Sequence, residues 1–287
     1  FLELLLIKLQ VHRGILANDM EFLKTIKKRR SLLSEAVYVA LNVGIAILLM
    51  ITIRTTGSFL LAFAIVLIGK WRIFAVRPRF WFANIQANLV SIIVSISFVV
   101  LLYVAGSGNA SSSQVLIVQS LLVLLDIIWL LFLKSQSKRV YIVAQASIAL
   151  FVGITSIFYL SYNWVASVAV VLAGLVGYAS AKHVLGSYDD ESHTVFLSLV
   201  WGLVIAEISW LAFYWTIAYQ LPFVSNILLP QVSIIVLCFG FLTYKSYDSF
   251  YHHKRIRIND ILLPLIFTIS IVSVLILFFN GVSTGVS

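Results

Sequence analysis

The run at 194–220, TVFLSLVWGLVIAEISWLAFYWTIAYQ, constrains the fold more than any other part of the chain. It holds 27 residues and one charged side chain, Glu207, with 13 residues on either side. As a helix it would extend about 40 Å, more than the roughly 30 Å hydrocarbon core of a bilayer. Lipid cannot hydrogen-bond to peptide groups, so only helices and closed barrels cross it. A barrel would show alternating segments of about 10 residues, whereas uncharged runs near 20 residues recur from Ser34 onward. The sequence therefore predicts an all-α fold, a polytopic integral membrane helical bundle. Composition agrees: 61% of residues are hydrophobic and 11% charged, against about 25% charged in soluble domains.

Nine spans are predicted, at 33–53, 58–74, 84–104, 114–133, 140–159, 165–181, 194–220, 228–244 and 260–279. Asp260 serves as the N-cap of the last. Charge counting orients them. With the N-terminus in the cytoplasm, the inner segments 1–32, 70–83, 134–139, 182–193 and 245–259 hold 19 of the 20 Lys and Arg residues, and only Arg54 falls outside. That asymmetry predicts N-in, C-out topology in a cell (inner) membrane, multi-pass. It also accounts for the net charge of +9 without a nucleic-acid partner. Two parts result: a cytoplasmic basic and amphipathic segment, 1–32, and a single transmembrane domain, 33–287. Met20 opens a short basic leader into the first span. If residues 1–19 are native, Leu2, Leu5, Leu6, Leu9 and Leu16 form an interfacial amphipathic helix.

Several chemistries are disfavoured. Cys238 is the one cysteine, so the chain forms no internal disulfide and no thiolate metal cluster. There is no H-E-x-x-H, no glycine-rich phosphate cradle and no nucleophile elbow. His183 and His193 flank an acidic loop, but the spacing fits no zinc pattern. No metal, cofactor or catalytic residue is expected.

Polar residues within the spans mark the sides that face the bundle. Asn88, Gln119, Gln145, Tyr214 and Gln231 are candidates to line a polar cavity, the alternative being isolated interhelical hydrogen bonds. Ala169, Ala173, Gly177 and Ala181 form a small-residue face for close helix packing. Glu207 and Asp126 stand out, since ionisable groups within a membrane are costly and mark proton relays, cation sites or counter-ions. They are the candidate coupling residues of a small permease moving a proton, cation or small solute. The alternative is a non-catalytic scaffold or complex subunit bound to another membrane protein. Arg72, Arg77 and Arg79, interleaved with aromatic residues, are candidates for binding lipid head groups.

Overall fold

The computed structural model describes residues 37, 39–107, 111–161, 164–189, 191–215, 217–221 and 224–279. The amphipathic segment 1–32, with Met20, lies outside them. The chain divides into the units Phe1–Ile45 and Ala46–Ser287, and the architecture below concerns the second.

Among the described residues, ten α-helices follow in order. Helix α1 is Val39–Thr56. It is followed by α2 (Phe59–Gly69), α3 (Trp81–Ala87), α4 (Leu89–Gly106), α5 (Ser112–Ile128), α6 (Arg139–Leu160), α7 (Ala166–Leu185), α8 (Thr194–Tyr214), α9 (Gln231–His253) and α10 (Ile258–Phe278). Among the described residues, seven helices are long and apolar enough to cross a membrane: α1, α4, α5 with its extension to Leu133, α6, α7, α8 and α10. The chain is a multi-pass membrane protein. Helix α2 is apolar but only 11 residues long. Helix α9 has 23 residues, and its last turns carry Lys245, Asp248, His252 and His253.

Local chemistry sets several boundaries. Gly57 adopts φ +59, which lets the chain turn sharply between α1 and α2, and Ser58 then caps α2. Ser111 and Gln114 form a reciprocal capping box at the start of α5. The end of α5 widens into a π turn over Trp129–Leu133, in which the amide of Lys134 donates to the Trp129 carbonyl.

Four expectations require correction. The run 194–220 is not one helix: α8 ends at Tyr214, and an antiparallel hairpin follows, β1 (Ala218–Leu221) paired with β2 (Val224–Pro230). The bundle is thus not purely α-helical. Pro222 and Pro230 each drive the preceding residue towards extended backbone, which favours strand over helix there. The predicted inner loop 245–259 is mostly helix, because α9 continues to His253 and stops at Lys254 in the left-handed region. The predicted span 84–104 is broken at Asn88 into α3 and α4. Asp260 is not an N-cap. It lies in the first turn of α10, behind Arg257, where a carboxylate still complements the helix dipole.

Helix α6 is central. It packs on α4, α7 and α9, and α7 makes its most extensive contact with α8. Leu150, Ile154 and Ile157 of α6 meet Ala169, Ala173 and Val176 of α7, Ile205 of α8, and Val232 and Val236 of α9. Lipid tails match leucine in apolarity, so such cores gain from close packing and polar contacts. The small-residue face on α7 behaves in this way: a Cβ added at Gly177 would lie 2.8 Å from the Ile205 side chain. Polar ties reinforce α6, with Thr155 donating to Ser233 of α9 at 2.9 Å and Ser156 to the Ser97 carbonyl of α4 at 3.2 Å.

Candidate functional site

The two membrane carboxylates lie in opposite settings. Glu207 is exposed on the outward face of α8. Its neighbours on that face, Leu203, Trp210, Leu211 and Tyr214, are all more than half exposed. Because α8 ends at Tyr214, Glu207 is seven residues, or about 10 Å, from the nearer helix end, and it still lies within the apolar length. Among the described residues it has no hydrogen-bond or ion-pair partner.

Asp126 is buried, at 7% exposure. It projects from α5 one turn before the π segment, and Trp129, three residues on, emerges beside it. Lys70 and Lys134 act on its charge, yet neither forms a direct ion pair with it. Lys70, at the end of α2, points its ammonium at Ser91 of α4, donating to the Oγ at 2.7 Å and the carbonyl at 3.1 Å. The Asp126 Oδ1 and the Trp129 Nε1 are buried without hydrogen-bond partners. Lys70 lies 56 positions from Asp126 in the sequence, on a different helix. Contact across α2, α4 and α5 brings it inward.

The other polar candidates act separately. Gln119, 1% exposed, donates from Nε2 to the Leu102 carbonyl at 3.1 Å, while its Oε1 is unpartnered. Asn88 donates to the Asn84 carbonyl at 2.8 Å, at the break between α3 and α4. Gln145 donates to the carbonyls of Leu133 and Gln136 and meets His183 Nε2 through its Oε1 at 2.7 Å, which ties off the π turn. Gln231 donates to the Leu275 carbonyl at 2.8 Å and joins α9 to α10. Tyr214 is exposed and packs edge-on against Trp210. The structure does not bring these residues together around one polar cavity. Arg77 and Arg79 are exposed, with the Arg79 guanidinium 4.6 Å from the Phe80 ring centre, while the Arg72 side chain lies outside the described residues.

A charged aromatic cluster escaped the sequence reading. Tyr188, in the loop after α7, is buried and donates to Asp248 of α9 at 3.0 Å. Arg139, at the start of α6, stacks 4.2 Å over the Tyr188 ring and lies 3.7 Å from Asp248. Burial first, and then the Asp248 carboxylate, raise the Tyr188 hydroxyl well above its ordinary range and keep it a donor. Tyr247 donates to Glu191, whose carboxyl is held below its usual value by that bond first and by the His193 amide second. The available signal was helical spacing: Tyr244, Tyr247, Asp248 and Tyr251 share one face of α9, in a stretch that otherwise reads as loop. Beside it, Ser249, His252, His253 and Asp260 line a polar cleft of about 370 Å³. Among the described residues no group of three His, Cys, Asp or Glu side chains is arranged to hold a metal ion.

Three further cavities are lined mainly by apolar side chains. One of about 230 Å³ lies between α6, α7, α8 and α9, and one of about 240 Å³ near the hairpin end of α8 and α9. The third, about 560 Å³, is a groove formed by α3, the start of α4, α7 and α8. Gly174 and Gly202 approach closely along it, where a Cβ on Gly202 would lie 2.9 Å from the Gly174 carbonyl. Leu203 and Ala206 form its α8 wall, and Glu207 follows one turn beyond Leu203 on the same face. Set against protein-family models, curated proteins and solved structures, the chain matches none of them, so the functional reading rests on its own residues.

Proposed function

We propose that this chain is a non-catalytic subunit of a membrane complex whose outward α8 face receives a transmembrane helix of a partner protein. One observation carries the proposal: Glu207 faces outward within the apolar length of α8 and has no partner among the described residues. A charged carboxylate facing lipid costs about 2.5–3.5 kcal/mol on insertion scales. A partner helix presenting a basic or strongly donating side chain at that depth would remove the cost. The groove beside it, about 560 Å³ and lined by side chains such as Leu175, Leu199 and Leu203, gives such a helix an apolar surface to lie on. Helix α8 carries no Lys, Arg or His, so a second copy docked through α8 would offer Glu207 no cation, only neutral donors such as Trp210 and Tyr214. In this reading the chain crosses the cell membrane nine times, with α2 and α9 as the two additional spans, N-in and C-out.

The test uses designed transmembrane peptides added to the purified protein in bilayer nanodiscs. A leucine-rich helix with one central arginine is expected to bind, and its all-leucine counterpart at least tenfold more weakly. Glu207→Leu should abolish that preference. Equal binding of the two peptides, or discrimination that survives Glu207→Leu, overturns the proposal. Self-association through Glu207 without peptide binding would replace the partner by a second copy. A second reading, a small permease coupling proton or cation movement, draws its support from buried Asp126 with its two nearby lysines.

A further inference from the structure

The α5 face bearing Gln119, Asp126 and Trp129 contains buried polar atoms that the protein leaves unpaired. The Asp126 Oδ1 is an acceptor and the Trp129 Nε1–H a donor, and the two residues sit one turn apart. Lys70 has a third ammonium N–H beyond the two committed to Ser91. Lys70 and Asp126 feel each other's charge, yet their nitrogen and oxygen atoms are not within ion-pair distance among the described residues. The group that fits an orphan acceptor, an orphan donor and a spare ammonium proton is water, which donates and accepts and needs two to four polar partners. The helix opens into its π turn at this point, and Lys134, half-buried, ends that turn at the short polar loop before α6.

We propose that Asp126, Trp129 and Lys70 enclose an internal water site through which Asp126 exchanges protons with the aqueous side at Lys134. In the exchange a hydronium ion delivered to the site gives its proton to Oδ1, leaving one carboxylic acid and one water, and release reverses the step. Lys70, at the end of α2, and Lys134, at the end of α5, are the charged groups that act on Asp126. From α6 and α7 the polar groups at the end of the π turn are Gln145 and His183, which bind each other. The site is independent of the α8 reading, since none of its residues lies on that helix.

The experiment is solid-state NMR on protein labelled with ¹⁵N-indole and ¹³C-aspartate in bilayers. The chain has 7 tryptophans, and Trp129→Phe identifies the Trp129 indole by the signal it deletes. Magnetisation transfer from water to that indole is expected in the wild type, and a reduction of at least threefold in Asp126→Leu and Lys70→Met. The Asp126 carboxyl signal, assigned by its loss in Asp126→Asn, should shift with bulk pH and respond to D₂O. An indole that receives no magnetisation from water in the wild type overturns the water site. A carboxyl signal fixed across pH, with water present, overturns proton exchange and leaves a sealed structural acid.

Discussion

Asp126 and Glu207 look alike in sequence, each a lone acid in an apolar run, and the bundle uses them in opposite ways. Asp126 is turned inward, with Lys70 and Lys134 in electrostatic range. Glu207 is turned outward, among exposed Leu203, Trp210 and Tyr214. The lesson is that hydropathy locates a membrane acid in depth but not in azimuth. Depth sets what the charge costs, and azimuth decides who can offset that cost, the chain itself or a partner.

The largest expected effects test the inward acid. Lys70 is half-buried and not in ion-pair contact with Asp126, so removing either group costs about 1–3 kcal/mol, the desolvation of the polar partner left behind. Lys70→Met and Asp126→Leu should each lower the melting temperature in detergent sharply, while the double variant recovers most of the loss. Glu207→Leu, by contrast, should leave the isolated chain's melting temperature unchanged or raise it, because it removes an unpaired acid from an apolar surface. A loss from Glu207→Leu as large as that from Asp126→Leu would break the comparison.

The next effect concerns the two faces of α7. Its inner face meets α8 through Gly177, where a side chain would run into Ile205. Gly177→Leu should cost about 1–3 kcal/mol by overpacking. Val168→Leu, on the exposed side of α7, should stay within about 0.5 kcal/mol. Equal stability of the two variants would mean that α7 and α8 are not held by close packing.

Much of this was legible beforehand. Seven of the predicted spans coincide broadly with helices long and apolar enough to cross a membrane, since long uncharged runs leave the backbone no other means of satisfying itself in lipid. The α7 packing face was visible as a four-residue repeat of small side chains. The azimuth of α8 was read the wrong way round: its polar residues Glu207 and Tyr214 are expected to face the bundle, yet both are exposed, on a helix that is apolar nearly all round. The Lys70–Asp126 proximity was hidden for another reason: it arises across 56 positions of chain through the packing of α2, α4 and α5. The hairpin was missed because the apolar run before Pro222 reads as helix until tertiary pairing with 224–230 competes for it.

The smallest effect sharpens the comparison with a third acid, one that faces water. Glu191 lies in the loop before α8, where Tyr247 and the His193 amide both donate to it. These bonds favour the charged form, so its carboxyl titrates below the ordinary 4.5 in the folded chain. A depressed folded value means the unfolded chain binds the proton more readily. The stabilisation is therefore complete above about pH 4.5 and is lost as pH falls through the folded value. Glu191 is close to solvent, and screening should limit the contribution to under about 1 kcal/mol. Tyr247→Phe removes the largest cause of the depression. At neutral pH the variant should melt slightly below the wild type, and the two curves should converge as the pH is lowered past 4.5. Melting scans in detergent at several pH values make the measurement. A gap that stays constant into acid would show that the Tyr247 hydroxyl acts by packing, with no linkage to the Glu191 charge.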